Sequence, residues 1–379
     1  MRRASEAERR QLNELFAELC AIPSPFGHER AMADRVTAEL RSMGLTVLED
    51  DCGPEVDASA GNLLARIPGR SERSVLLCAH LDTVPHGDAP IDPVVVDDGW
   101  ENRHEAILGA DNKAAVAVML QAAKRASVEG APVGIELLFT VSEENALAGA
   151  KAFDLSLLRS EFGYVYDHAT PIGEIITASP TYYRLEAEFH GRAAHAGIRP
   201  EDGRSAILAA SKAITAMPLG RLDDQTTSNV GGIEGGAAGT NIVPERCRLL
   251  AEARSLDDTR AEAVISEMVD RCYDAANEPI CECDLDITVE RLFQGYRHDA
   301  HAPQIVAAEA ALRACGYTPR HVSTGGGSDA NAFEAAGFPC TNLANGTERN
   351  HETTERVSVA ALESMLDVTY ALLDELGAG

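Results

Sequence analysis

Nowhere in the chain do about 18 apolar residues run uninterrupted, the length a helix needs to cross a bilayer. The opening MRRASEAERRQLNELF carries basic residues but no apolar run of the signal-peptide kind, so a cytoplasmic location is expected. Basic residues are scarce: 33 Lys and Arg stand against 60 Asp and Glu. The resulting net charge of -27 sets up a far field that repels nucleic acid and anionic membrane, and neither is expected as a partner. The nine cysteines, Cys20, Cys52, Cys78, Cys247, Cys272, Cys281, Cys283, Cys315 and Cys340, show no disulfide framework and read as reduced thiols. Cys281 and Cys283 form CEC, one residue short of CxxC and without a second pair, which argues against a structural zinc knuckle. Internal repeats and low-complexity tracts are missing as well.

What is present is a globular balance, 45% hydrophobic and 25% charged, over 379 residues. That length suits about two domains rather than one core. Residues 6–21 carry apolar side chains near helical spacing and stop before a Pro-Ser-Pro run, where proline cannot continue a helix. IPSPFGHE reads as a turn into a second helix over 29–43. Short apolar runs follow at 62–67, 74–79, 134–141 and 162–166, bounded by Gly, Pro, Asp or Ser, and these read as buried strands. Between the second and third lies ADNKAAVAVMLQAAKRA, alanine-rich and helical. The alternation predicts an α/β fold with a mixed, largely parallel sheet flanked by helices.

The rhythm then changes. Residues 182–190 alternate, 203–217 are helical, 226–233 and 246–254 are strand-like, 257–275 are helical and 283–292 alternate again. This β-α-β-β-α-β order predicts a ferredoxin-like α+β unit over 179–293, inserted into a first domain of 1–178 plus 294–379. A helix over 301–315 and a strand over 338–344 complete that first domain.

Several chemically capable side chains share one placement. His80 ends SVLLCAH, Glu143 and Glu144 follow GIELLFTVS, and Asp167 ends FGYVYD. In open α/β sheets ligands gather beyond the carboxyl ends of the strands, so these residues can converge although far apart in sequence. Taken singly, His80 could be a satisfied core histidine, Asp111 an N-cap, and Glu143 and Glu144 a solvated loop. In HLD, however, Asp82 lies on the same side of extended chain as His80, and its carboxylate can accept the imidazole's second N–H. With Asp111 at the head of the alanine-rich helix and His351 in GTERNHETTE, the set offers two histidines and three carboxylates as ligands. That is an N/O mixture zinc accepts.

AHLDTV, GADNKAAVAVML, TVSEENALAGA, YVYD, HGRAAHAG, GTNIVPE, GGGSDA and NHETTE resemble, in order and spacing, a family of di-zinc metallopeptidases. It includes peptidase T, carboxypeptidase G, succinyl-diaminopimelate desuccinylase and aminoacylase, and the resemblance covers nearly the whole chain. It implies that His80 and Asp167 hold one zinc, Glu144 and His351 the other, and that Asp111 bridges them. Cobalt and manganese can occupy such sites too. It further implies Glu143 as general base, Asp82 as the partner behind His80, and a cis peptide between Asp111 and Asn112. In the inserted domain, His195 is implied to reach a catalytic site, often that of the partner subunit of a homodimer. Asn241 and Arg254 are implied to grip the substrate's carbonyl or carboxylate. The glycine-rich GGIEGGAAGTN and GGGSDAN lack a phosphate-loop ending and read as loops for close backbone approach to substrate, with Gly326 as a contact.

DANAFEAAGFPCTNLANGTERNHETTE resembles the peptidase T branch, which implies an aminopeptidase acting on short peptides, foremost tripeptides. An N-acyl-amino-acid deacylase acting on acylated amino acids, or a carboxypeptidase, would use the same chemistry. A non-catalytic metal-binding protein is the alternative of another class, and Glu143 argues against it.

Overall fold

A computed structural model describes residues 3–236 and 239–378. The chain divides into two compact units, Met1–Ala178 with Arg297–Gly379, and Ser179–Tyr296. No helix among the described residues is long and apolar enough to cross a membrane.

The first unit is built on a mixed sheet in the order Val47–Glu49, Leu63–Ile67, Gly134–Thr140, Ser74–His80, Gly163–His168, Cys340–Ala344 and Glu174–Ser179. The four strands at its centre run parallel, with His80 opposite Thr140, Cys78 opposite Val165, and Cys340 opposite Gly163. Every residue of Gly134–Thr140 is buried, as expected of a strand covered on both faces. The predicted α/β class with a largely parallel centre is what forms. His80, Thr140, His168 and Ala344 therefore end their strands along one edge of the sheet.

The helix Ala110–Glu129 is buried nearly all round, against Glu6–Cys20 and the last helix, Val359–Ala378. Its alanines, among them Ala114, Ala115, Ala117 and Ala122, favour the helical state and let neighbours approach closely. Asp111 and Asn112 depart from helical φ and ψ, the peptide bond between them is cis, and Gly109 has φ +74°.

Among the features outside the expected elements, two bear on the core and the site. One is Val359–Ala378 itself, whose Leu362, Met365, Leu366, Leu372, Leu373 and Leu376 join the main core. The other is a small antiparallel sheet in the order Thr347–Glu348, Arg356–Ser358, Gly99–Asn102 and Pro93–Val96. Its first two strands frame the loop that carries His351.

The second unit is an antiparallel sheet in the order Gly220–Asp223, Thr226–Gly235, Arg246–Ser255, Thr181–His190 and Asp284–Phe293. Ala206–Ala216 and Asp258–Asn277 pack on it and on each other over Leu185, Phe189, Leu249, Ala253, Val264 and Met268. This is the ferredoxin-like order with one further edge strand, Gly220–Asp223. The first glycine-rich stretch departs from expectation. Residues 232–235 pair with Cys247 to Leu250 inside the sheet, with a bulge between Val230 and Gly232. A Cβ on Gly235 would stand 2.7 Å from the Arg246 carbonyl oxygen, so the close approach there is to the neighbouring strand. Residues 237–238 of that stretch lie outside the described residues.

Candidate active site

Asp111 is the hub of the polar cluster at the strand ends. Its Oδ1 lies 3.4 Å from His80 Nε2, and its Oδ2 lies 3.3 Å from His351 Nε2. The same His80 Nε2 is 3.7 Å from Asp167 Oδ1, and the same His351 Nε2 is 2.9 Å from Glu144 Oε1. One carboxylate thus faces two different imidazoles, each of which has a second carboxylate of its own. The ligand atoms of His80, Asp111 and Glu144 lie within 4.8 Å of one another, as do those of His80, Glu143 and Asp167.

Parallel register explains the convergence. His80 is the last residue of its strand, Asp167 is next to last in the adjacent one, and Glu143 and Glu144 follow the strand ending at Thr140 on the other side, after Val141 and Ser142. Asp111 reaches the same edge from the start of the buried helix, and His351, half-exposed, from the small sheet's loop with φ +68°.

Asp82 stands behind His80 and also serves the neighbouring turn. His80 Nδ1 lies 3.0 Å from the Asp82 backbone carbonyl oxygen, closer than the 3.5 Å to its carboxylate Oδ1. That carboxylate also accepts the backbone N–H of Glu143 at Oδ1 and of Glu144 at Oδ2, both at 3.0 Å. Asp82 therefore fixes the Glu143–Glu144 turn, while its main chain orients His80.

Such crowding of carboxylates has an electrostatic signature. Burial, reinforced by the charge of Asp167, holds the Glu143 carboxyl well above the usual carboxylate range. Burial and the charge of Asp111 do the same to Asp167. His351 is pushed up to about 10 by its hydrogen bonds to Asp111 and Glu144. Burial works against a charged His80, but the carboxylates of Asp111, Asp167 and Asp82 outweigh it and raise the group. Asp111 Oδ1 is buried and has no hydrogen-bond partner. A buried anionic oxygen left in that state is costly, and a divalent cation removes the cost.

In the second unit, His195 and Asn241 are neighbours: Ala196 N–H donates to the Asn241 carbonyl at 2.9 Å, and His195 bridges to Ile242. Arg254 stacks over the Tyr182 ring at 3.9 Å and is paired with Glu252, Nε to Oε1 at 3.1 Å. Gly326 belongs to the first unit, where its N–H donates to Thr324 Oγ1 at 3.0 Å.

Residues 181–278 match the peptidase dimerisation domain, and residues 62–166 match peptidase family M28. The chain is similar to the aminopeptidase PepT of Bacillus cereus, 35% identical with a TM-score of 0.86 across 98% of this chain and 99% of the other. A tripeptidase from Staphylococcus aureus is 31% identical with a TM-score of 0.91, over the same shares of the two chains. The chain belongs to the metallopeptidase family of peptidase T. The uncharacterized protein YqjE of Bacillus subtilis is a further relative, 36% identical over 370 residues, 97% of this chain and 98% of that one.

In this member of the peptidase T family, several supporting residues escape a reading of the sequence. Glu355 accepts the N–H of Gly109 at 2.7 Å and of Asp111 at 2.9 Å, and so holds the backbone on which Asp111 sits. Burial pushes its carboxyl up to about 7. Asn342 clamps Asp167, accepting its N–H at 2.9 Å and donating to its carbonyl at 3.0 Å. Asp329, from the GGGSDA block, is buried behind the strand ends and accepts from Thr140 Oγ1 at 2.5 Å. Glu355 does lie in NHETTE, four residues after His351, but so does Glu352, and the block alone does not single it out.

Proposed function

We propose that this metallopeptidase is a two-metal aminopeptidase of short peptides, foremost tripeptides. His80 and Asp167 would hold one divalent cation and Glu144 and His351 the other, with Asp111 shared between the two. The observation that carries this reading is the two-sided contact of Asp111, one oxygen toward each imidazole, with Oδ1 making no hydrogen bond among the described residues. The donor set of imidazole nitrogens and carboxylate oxygens suits zinc, and cobalt or manganese by the same chemistry.

Two divalent cations held there would supply Lewis acidity, a water whose pKa is lowered toward about 7 and polarisation of the scissile carbonyl. Glu143 accepts that water's proton on its carboxylate and returns it to the leaving amine nitrogen. Asp82 and Glu355 keep the Glu143–Glu144 turn and Asp111 in register. We assign His195, from the partner subunit of a homodimer, to the developing oxyanion. Asn241 is assigned to the substrate's carbonyl, Arg254 to its carboxylate, and the Gly326 backbone to close approach. The match of residues 181–278 to a dimerisation domain supports a dimer through the inserted unit. Nine free cysteines, most of them buried, are consistent with a reducing cytoplasm.

The reading is tested by hydrolysis of free tripeptides, free dipeptides, N-acetyl amino acids and N-acetylated tripeptides, before and after chelation and with metal restored. Activity on free tripeptides that disappears and returns with the metal supports it. A preference for the acetylated substrates would make the enzyme a deacylase instead.

Two further outcomes are expected. In the metal-free site His351, at about 10, is protonated at neutral pH, and binding a cation must expel that proton. Below that pH the apparent metal affinity should therefore fall at least about tenfold for each unit of acidification, with proton release detectable by calorimetry in buffers of different ionisation enthalpy. An affinity independent of pH between 6 and 8 would remove His351 from the ligand set. Separately, Arg254→Ala should raise KM for a free tripeptide on the order of 10- to 100-fold while leaving the corresponding tripeptide amide almost unaffected. Equal losses on both substrates would detach Arg254 from the carboxylate.

A further inference from the structure

The turn carrying Glu143 is held from three sides, by Asn62, Asp82 and Glu29, and of these only Asp82 has a part in the chemistry above. Val141 N–H donates to Asn62 Oδ1 at 3.1 Å, and Glu143 and Glu144 donate to Asp82. Between them lies Ser142, fully buried with φ +50°, in the left-handed region that a residue with a Cβ adopts only at a cost. Its Oγ donates to Glu29 Oε1 at 3.3 Å. Glu29 is itself fully buried, and its carboxylate also accepts Gly27 N–H at 2.8 Å, Ser59 N–H at 3.1 Å and Ser59 Oγ–H at 3.2 Å. All four donors are neutral. A carboxylate so placed gives up its hydration, and its charge strengthens each hydrogen bond it accepts.

We propose that Glu29 is a positioning residue for the reaction: through the Ser142 hydroxyl it locks the left-handed turn and thereby aims the Glu143 carboxylate. The inference rests on Glu143 being the general base. Ser142 directly precedes Glu143, so relaxing its φ and ψ toward the extended region redirects the following side chain. A general base must come within about 2.6 to 3.2 Å of the proton it takes, and a misplacement of about 1 Å can cost about a hundredfold in rate. The rest of the turn has no room to compensate. A Cβ on Gly149 would stand 2.1 Å from the Val141 carbonyl oxygen, which shows how tightly that side is packed.

Kinetics of the metal-loaded enzyme on a tripeptide test this with Ser142→Gly, Glu143→Ala and the double variant. Glycine accepts φ +50° without strain but has no hydroxyl, so the fold is kept while the lock is removed. Ser142→Gly should lower kcat by about 10- to 100-fold with KM, metal content and thermal midpoint near wild type. Because Ser142 acts only through Glu143, the double variant should be no slower than Glu143→Ala alone. Glu29→Gln turns an amide N–H toward a backbone donor and should reproduce the loss in kcat. Wild-type kcat in Ser142→Gly, or a double variant slower than Glu143→Ala by the same factor again, overturns the proposal and leaves the general base standing. Substantial activity in Glu143→Ala overturns the general base itself.

Discussion

Glu143→Ala is expected to retain two equivalents of metal and to lose kcat by about a thousandfold, within the range of 10² to 10⁴ that a positioned acid–base group supplies. The metal should stay because Glu143 is tied to the site through its backbone: its N–H donates to Asp82, and alanine keeps that bond. The side chain itself makes none of the close contacts linking Asp111 to His80 and His351. Nor should the variant be less stable without metal. Burial and the charge of Asp167 already hold the Glu143 carboxyl above its usual range, so its removal relieves a repulsion. Metal analysis, the thermal midpoint and kcat on a tripeptide together decide the matter. Two bound metals with more than a few per cent of the turnover would show that another group takes the proton, whereas loss of metal would make Glu143 a ligand, as its grouping with His80 and Asp167 allows.

How far the sequence carries can be judged from particular residues. His80, Glu143, Glu144 and Asp167 were legible because each follows or ends an apolar run, and parallel pairing brings such ends to one edge. Glu29, Asn342 and Glu355 were not, because they act on the backbone or hydroxyl of distant residues, a relation that leaves no periodicity. Nothing in one sequence separates Glu355, buried under Asp111, from the exposed Glu352 three residues before it. Asp82 was read through its carboxylate because sequence cannot weigh a side-chain acceptor against the same residue's carbonyl. The small sheet was missed because its strands are two to four residues long, and Val95 and Val96 are exposed rather than patterned by burial.

Asp111→Ala should have the deepest effect: fewer than one tightly bound metal per chain and tripeptide hydrolysis reduced by at least about a thousandfold, beyond what a single acid–base group accounts for. Asp111 alone presents one oxygen to each imidazole, so its loss opens both sites at once, whereas the loss of Glu144 or Asp167 opens one. The backbone has reason to persist, since Glu355 still accepts the N–H of residues 109 and 111. Stability separates this from misfolding. A cation that binds only the folded chain, at about 100 times its Kd, stabilises it by about 2.7 kcal/mol. At about 2 to 4 °C per kcal/mol, chelation should lower the wild-type midpoint by about 5 to 10 °C. Asp111→Ala should start near the chelated wild-type midpoint and barely respond to chelator, because it has little metal to lose. Any excess over the metal-free wild-type midpoint reports relief of carboxylate crowding, since Asp111 is a cause of the upward push on both Asp167 and Glu355. Two tightly bound metals in this variant, with a wild-type response to chelation, would remove Asp111 from the bridge and leave the double contact in the structure without a function.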